Sequence, residues 1–203
     1  MKTNAKQTDR RVIRTKKEIL SALTELLEQK AIEEITVKEI TDLAGINRGT
    51  FYLHYIDKFD LFEKSVNQLL IELREMGAVI ISRAVENGSP EKEKDEIIHS
   101  IAAIFEYVKD HHRFIKSLTS ENSSYSFHHK FNDILKDHFA DIFIKLDGSV
   151  PPIYLASAVS YAYQGLIHTW LQDDMRETTY QMAEYGYELF FNHVAGIFNE
   201  SNE

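Results

Sequence analysis

Hydrophobic residues recur at every third or fourth position through most of this 203-residue chain, which is the period of an amphipathic α-helix. The spacing from Thr15 to Glu18 matches a capping box and predicts that the first helix begins there. The spacing from Thr36 to Glu39 repeats the capping box and opens a short second helix, which Gly45 ends. The first part of the chain is therefore predicted to be helical.

The same periodicity predicts a third helix from Asn47 to about Tyr55 and a long fourth helix from Lys58 to about Val85. Five further helices are predicted at residues 90 to about 110, 114–118, 127–146, 152–173 and 179–199. The chain has only three prolines and eight glycines, which also favours a helix-rich protein. We therefore predict an all-α fold of about nine helices.

The stretch ITVKEITDLAGINRGTFYLHY has a short helix, a turn with glycine and a second short helix, which is the pattern of a DNA-binding helix-turn-helix. Donor-rich and very small residues, from Asn47 to Thr50, lie at the start of the second helix. Gly49 inside a helix costs about 1 kcal/mol relative to alanine, so a close approach of another molecule would explain it. A tight helix crossing within the module is the alternative explanation.

Side chains in this region suit both kinds of DNA contact. Arg48 can present a bidentate fork to guanine O6 and N7, and Thr50 can contact a thymine methyl or a phosphate. The hydroxyl and amide of Thr36 at a helix N-terminus suit another phosphate. The candidate DNA-binding residues are Arg14, Thr36, Asn47, Arg48, Gly49, Thr50, Tyr52, His54, Tyr55 and Lys58.

Several of these residues also have a structural interpretation. His54 can be a core or capping histidine, Lys58 can be a solvated residue of a first helical turn, and Tyr55 can belong to either the core or the DNA-binding surface. The remaining large apolar residues of this stretch are predicted to form the core of the module, namely Phe51, Leu53, Phe59 and Phe62.

The charge distribution changes what the composition implies. The chain has 23 Lys plus Arg and 32 Asp plus Glu, and a net charge of −9 taken alone disfavours a nucleic-acid partner. Residues 1–64 hold twelve basic and eleven acidic residues, so residues 65–203 carry −10. The basic start of the chain is predicted to be a mobile arm that enters a minor groove, or else a tail without a role. Only the first part of the chain suits DNA.

Residues 14–64, and above all TVKEITDLAGINRGTFYLHYIDKFDLF, resemble the TetR/AcrR family of transcriptional regulators. The resemblance implies an all-helical homodimer that binds a palindromic DNA operator, usually as a repressor, and releases it when an effector acts on the C-terminal domain. The expected organisation is a basic arm at 1–14, a three-helix helix-turn-helix domain at 15–64 and a helical regulatory and dimerisation domain at 65–203. The stretch from Arg11 to Lys16, with INRGTFYLHY, is similar to regulators of dihydroxyacetone kinase operons, which implies an alternative: an activator or coregulator controlled by a protein partner.

The resemblance also assigns roles to individual residues. It implies that Thr36 holds a phosphate, and that Arg48 and Gly49 face base edges. A further set is expected to grip the DNA backbone, namely Thr50, Tyr52, His54 and Lys58. The chain departs from the family at Leu53, where many members have a second aromatic residue with a hydroxyl.

The last two predicted helices are apolar on more than one face, which favours either a central core pair or the interface of a homodimer. We expect a dimer interface that includes Ala158, Ala162, Trp170, Tyr187, Phe190 and Val194. An aromatic pocket for a small-molecule effector would be lined by Phe105, Phe131, Tyr161, Gln164 and His168, although the same composition is common in cores.

Other classes of protein are disfavoured by missing motifs. The chain has no cysteine, no GxSxG elbow, no P-loop and no GxGxxG, so it is not expected to be an enzyme or to bind a cofactor. Its paired histidines lack the spacing of a metal site. It has no signal-peptide core and no apolar run of about 18 residues, so we expect a cytoplasmic protein without a membrane partner.

Overall fold

The computed structural model describes residues 2–86, 90–118, 126–144 and 150–189. Every regular element in these ranges is helical and none is a strand, which confirms the predicted all-α fold. The α-helices are α1 (Lys2–Leu27), α2 (Val37–Leu43), α3 (Arg48–Tyr52), α4 (Lys58–Glu86), α5 (Pro90–Asp110), α6 (His112–Leu118), α7 (Ser126–Phe143), α8 (Pro152–Gln172) and α9 (Thr179–Tyr187). None of the described helices combines the length and the apolar character that a membrane crossing requires.

The first helix begins at Lys2, so the prediction of a helix start at Thr15 is wrong. No glycine or proline interrupts the chain between Lys2 and Leu27, and nothing therefore stops the helix on its N-terminal side. The Nε of Arg14 lies 2.8 Å from Oε1 of Glu18, an i,i+4 ion pair that spans the predicted boundary. The basic residues before Thr15 are thus part of α1.

Two other local differences concern the short elements. A 3-10 helix at Ile32–Glu34 precedes α2 and was not predicted. Helix α3 ends at Tyr52, about one turn earlier than the sequence predicted, and Leu53 forms its C-cap. Helices α4, α5 and α8 begin at the predicted residues, because each start carries a capping residue or a proline that fixes the first turn.

The chain divides into two compact units, which we call the N-terminal unit (Met1–Leu69 and Arg113–Ser124) and the C-terminal unit (Leu70–His112 and Tyr125–Glu203). Six fully buried apolar side chains form the centre of the N-terminal core, namely Ile19, Leu23, Ile35, Ile40, Phe51 and Leu61. Helix α6 adds to this unit, because Arg113 forms a bidentate ion pair with Glu28 at 2.8 and 2.7 Å.

The C-terminal unit is held by contacts between its long helices. Helix α7 packs on α8, where the hydroxyl of Ser160 donates to Oδ1 of Asn132 at 3.0 Å in a buried position. Helix α5 packs on α9. The ring of Trp170 meets Phe105 edge to face at 5.4 Å between centroids, and its indole N–H donates to the carbonyl of Glu177. These pairs fix the relative positions of α5 and α8.

Candidate DNA-binding site

Helix α2 begins with the capping box that the sequence predicts. The Oγ1 of Thr36 accepts a hydrogen bond from the amide of Glu39 at 3.2 Å, and Oε2 of Glu39 accepts one from the amide of Thr36 at 2.9 Å. The ammonium of Lys30 lies 2.6 Å from the other carboxylate oxygen. The hydrogen bond from Lys30, and then those from Thr36, lower the pKa of Glu39 to about 2. The cap is therefore ionised at neutral pH.

The turn between α2 and α3 depends on Gly45. Its φ of +65° lies in the left-handed region, where a side chain would be strained. The amide of Ile46 donates to the carbonyl of Thr41 at 3.0 Å, and Thr41 itself is buried with its hydroxyl on the carbonyl of Lys38. This turn fixes the direction in which α3 leaves α2.

Helix α3 is held in place by a cap at its start and by a buried side chain near its end. The Oδ1 of Asn47 accepts hydrogen bonds from the amide of Thr50 at 2.8 Å and from its hydroxyl at 3.1 Å. The ring of Phe51 is fully buried in the core of the N-terminal unit. The cap and this anchor leave one face of α3 exposed, and it carries Arg48, Gly49 and Tyr52.

Gly49 does not serve a tight helix crossing. Apart from the adjacent residues and the backbone of α3 itself, a Cβ added at this position would meet one atom within 4 Å, Oδ1 of Asn47 at 3.2 Å. The space outside Gly49 is otherwise open, so the missing side chain leaves a shallow place on the exposed face of α3. Close approach by another molecule remains the explanation that fits.

Two further predicted DNA-binding residues, Tyr55 and Lys58, have partners within the N-terminal unit. Tyr55 is only 8% exposed and its ring lies 5.6 Å from that of Phe51, so it is a core residue and not part of the exposed surface. Burial, with a smaller effect from Asp60, raises the pKa of its hydroxyl. The ammonium of Lys58 donates to the carbonyls of Glu33 and Ile35 at 2.5 and 2.7 Å, which ties the start of α4 to the 3-10 helix.

The remaining predicted residues lie at or near the surface of the N-terminal unit. Thr36 and Arg14 are exposed, and Arg14 pairs with Glu18. His54 is half-buried, with its ring 6.3 Å from that of Tyr55. Lys38, which was not among the predicted residues, is exposed in the first turn of α2. Its position two residues after the Thr36 cap was the available signal.

Two residues predicted to be core are exposed. Leu53 is 80% exposed and Phe59 is 46% exposed, whereas Phe51 and Phe62 do pack in the core. The helical register would have identified Leu53, because it lies four residues after the exposed Gly49 and therefore on the same side of α3. A large apolar side chain therefore stands beside the polar candidates.

The residues predicted for a dimer interface fall into three groups. Ala158 and Ala162 are exposed one turn apart on α8, and Tyr187 is half-buried on α9. Trp170 is only 2% exposed and packs on Phe105, so its assignment to an interface is wrong and it is a core residue. The other two predicted residues, Phe190 and Val194, lie outside the described residues.

The residues predicted to bind an effector differ in their exposure to solvent. Phe105 and Phe131 are buried, Gln164 is half-buried, and Tyr161 and His168 lie on the exposed face of α8. A cavity of about 30 Å³ between α8 and α9, large enough for roughly one water molecule, is lined by Val159, Ala162, Tyr163, Leu166, Gly186 and Leu189. It shares no residue with the predicted effector set. Among the described residues, no three His, Asp or Glu side chains gather as a metal site would require.

Family models match both regions of the chain. Residues 19–64 match the model described as bacterial regulatory proteins, tetR family, and residues 95–192 match the model described as transcriptional regulator C-terminal region. The HTH-type transcriptional regulator YxbF of Bacillus subtilis (strain 168) is 25% identical over 174 residues, which are 85% of this chain and 43% of that protein. The HTH-type transcriptional repressor BepR of Brucella suis biovar 1 (strain 1330) is 29% identical over 63 residues, which are 31% of this chain and 30% of BepR. The chain thus spans less than half the length of these relatives.

A solved structure is similar over nearly the whole chain. The dihydroxyacetone kinase operon activator DhaS superimposes with a TM-score of 0.61 at 15% identity, and the match covers 91% of this chain and 98% of DhaS. At this identity the similarity shows the fold. Taken with the two matched regions, the capped α2, the Gly45 turn and the exposed face of α3 lead to one conclusion: the chain belongs to the TetR family of transcriptional regulators.

Proposed function

We propose that the chain represses transcription as a homodimer that places α3 of each protomer in the major groove of a palindromic operator. The observation that carries this proposal is the exposed face of α3, which presents Arg48, Gly49 and Tyr52 on a helix fixed by its cap and by Phe51. A recognition helix needs this combination, because its side chains must reach bases while its backbone stays in place.

Within that surface the side chains divide by chemistry. The guanidinium of Arg48 suits bidentate contact with a guanine, and the shallow place at Gly49 lets the helix approach the base edges. Phosphate contacts fall to donors around this centre, namely Lys38, Tyr52 and His54. Thr36, which was predicted to hold a phosphate, donates both its amide and its hydroxyl to the carboxylate of Glu39. Asn47 and Thr50 act mainly by holding the start of α3, since each uses its side-chain oxygen in the cap.

Lys58 has a mixed role. Two of its three ammonium protons are committed to the carbonyls of Glu33 and Ile35, and one is left for a phosphate. The basic residues Arg10, Arg11 and Lys17 are exposed on α1 and add attraction to DNA that does not depend on sequence. Because this segment is helical, we expect it to follow phosphates instead of entering a minor groove.

The second protomer is expected to pack against α8. The exposed face of α8 carries Tyr154, Ala158, Tyr161, Ala162 and Gly165, which are related by helical intervals of three or four residues. Small residues allow close helix contact, and the exposed tyrosines supply apolar area that water does not favour. A symmetric homodimer carries two copies of α3 related by a two-fold axis, which is why a palindromic operator is expected.

The response to a signal is assigned to the C-terminal unit, with a small-molecule effector as the first candidate. The cavity beside Tyr163 in this unit holds roughly one water molecule, so an effector that enters there would have to widen it. The alternative is control by a protein partner, with activation instead of repression. The similarity to DhaS, an operon activator, favours that alternative, and the similarity to BepR, a repressor, favours the first.

The test begins by selecting operator sequences from random duplexes with the full chain. Fluorescence anisotropy then compares the selected duplex with a scrambled one for wild type, Arg48→Ala and Arg74→Ala. Arg74 is an exposed arginine on α4 outside the N-terminal unit, so its variant controls for the loss of one positive charge.

We expect Arg48→Ala to lose about 1–3 kcal/mol of discrimination between the two duplexes, and Arg74→Ala to lose none. Equal discrimination by all three proteins would remove α3 from its assigned role. If no duplex is selected from the random pool, the proposal of sequence-specific binding fails as a whole.

A further inference from the structure

Leu53 is the most exposed large apolar side chain in the described part of the chain, at 80%. Exposure of such a side chain to water is unfavourable, and the exposure of Leu53 is not caused by a disordered backbone. Its amide donates to the carbonyl of Gly49 at 3.2 Å, so Leu53 continues the hydrogen-bonding register of α3. The side chain is thus held in a fixed place on a helix that is proposed to read DNA.

Helical geometry puts Leu53 on the exposed face with Gly49 and Tyr52. Residues four apart on an α-helix lie on the same side, so Leu53 stands above the shallow place at Gly49. The fully buried Phe51 is on the opposite side of the helix. A duplex that contacts Arg48 and Gly49 would therefore also meet Leu53.

The chemistry of the side chain limits what it can recognise. An isobutyl group has no hydrogen-bond donor or acceptor, so it cannot bind a phosphate or pair with a polar base edge. The major groove offers one apolar group, the C5 methyl of thymine. Contact between that methyl and Leu53 would remove apolar area from water on both sides.

Resting on the proposed function, we propose that Leu53 reads a thymine in each operator half-site through its C5 methyl. The position of this thymine follows from the helix rise. Leu53 is five residues beyond Arg48, which is about 7.5 Å along the axis at about 1.5 Å per residue. With base pairs about 3.4 Å apart, the thymine lies about two base pairs from the base that Arg48 contacts.

A protein partner is the competing occupant, because Ile56 and Phe59 are also exposed near α3. Leu53 differs from them in being part of the α3 register, whereas Ile56 lies in the turn between α3 and α4, where its amide donates to Oδ2 of Asp60. Ile56 is 78% exposed and has the same number of carbon atoms as Leu53. It is therefore a matched control.

The experiment replaces each thymine of the selected operator by uracil, one symmetric pair at a time, so that only the C5 methyls are removed. Anisotropy titrations then measure the affinities of wild type, Leu53→Ala and Ile56→Ala for each duplex. At about 0.8 kcal/mol for each buried methyl-sized group, one pair of substitutions should weaken wild-type binding by about 15-fold over two half-sites. Urea unfolding of each variant checks that an exposed substitution leaves the fold intact.

We expect one thymine pair, about two base pairs from the guanine that depends on Arg48, to show this loss in wild type and in Ile56→Ala but not in Leu53→Ala. The idea is overturned if Leu53→Ala shows the same loss as wild type at every thymine, or if no thymine pair matters to wild type. It is also overturned if Leu53→Ala weakens binding to uracil and thymine duplexes equally. These outcomes leave the proposed function standing, since that is tested separately by operator selection with wild type and by the discrimination that Arg48→Ala loses.

Discussion

The exposed face of α3 is tested most sharply by adding a single methyl group at Gly49. In Gly49→Ala the new Cβ lies 3.2 Å from Oδ1 of Asn47, so the cap must move by a few tenths of an ångström. The Asn47 oxygen is 2.8 Å from the amide of Thr50 and can lengthen that hydrogen bond without losing it. Apart from the adjacent residues and the backbone of α3 itself, no other atom is within 4 Å of the new methyl group.

Two opposing effects on stability follow from this geometry. Alanine favours a helix over glycine by about 1 kcal/mol, and a strained cap loses up to about 1 kcal/mol. The free energy of unfolding, measured in urea, should therefore stay within about 1 kcal/mol of wild type. Operator affinity should fall at least about tenfold, which corresponds to about 1.4 kcal/mol, because the methyl group keeps α3 away from the base edges.

The two measurements separate folding from recognition. A variant that is as stable as wild type and binds the selected operator equally well would show that nothing approaches α3 closely at Gly49. A variant that loses several kcal/mol of stability would show that the cap at Asn47 cannot adjust. Either result would refute the reasoning from the exposed face, and binding to a scrambled duplex serves as the control for general attraction to DNA.

Three further predictions concern other parts of the molecule. Because the pKa of Glu39 falls to about 2 from an ordinary value near 4.5, its carboxylate stabilises the fold above pH 4.5 and loses this effect as pH falls towards 2; acid unfolding of Glu39→Gln should therefore depend less on pH over that range. Lys58→Ala should weaken binding to operator and scrambled duplexes alike and also lower the urea midpoint, since it removes hydrogen bonds to Glu33 and Ile35; an unchanged midpoint contradicts the structural role. Ala158→Arg places a charge on the proposed dimer face, so light scattering should give a monomer mass, and an unchanged dimer rejects that face.

The periodicity of the chain was enough to predict the fold, but it did not predict where the first helix begins. The capping box at Thr36 matches a real helix start, because the residue before it has an extended, non-helical backbone. The same pattern at Thr15 lies inside α1, since no helix-breaking residue precedes it. A capping pattern is therefore informative only where a break is also present.

The site could be predicted where side chains share a helical register with a known polar position. Arg48 and Gly49 were placed correctly on the exposed face of α3 for this reason. Leu53 was assigned to the core on hydrophobicity alone, although its register put it outside. Trp170 was assigned to an interface, although its contacts with Phe105 depend on how α5 and α8 pack, which local sequence does not specify.

The central claim is that the exposed face of α3 reads base edges through Arg48, and methylation interference tests it most directly. Methylation of guanine N7 blocks one of the two acceptors that an arginine fork uses in the major groove. N7 methylation of one guanine in each half-site, placed symmetrically about the operator centre, should prevent the wild-type protein from binding the operator. Arg48→Ala should lose this sensitivity at those two guanines. An interference pattern that is identical for the two proteins would contradict the assignment of α3 as the recognition helix.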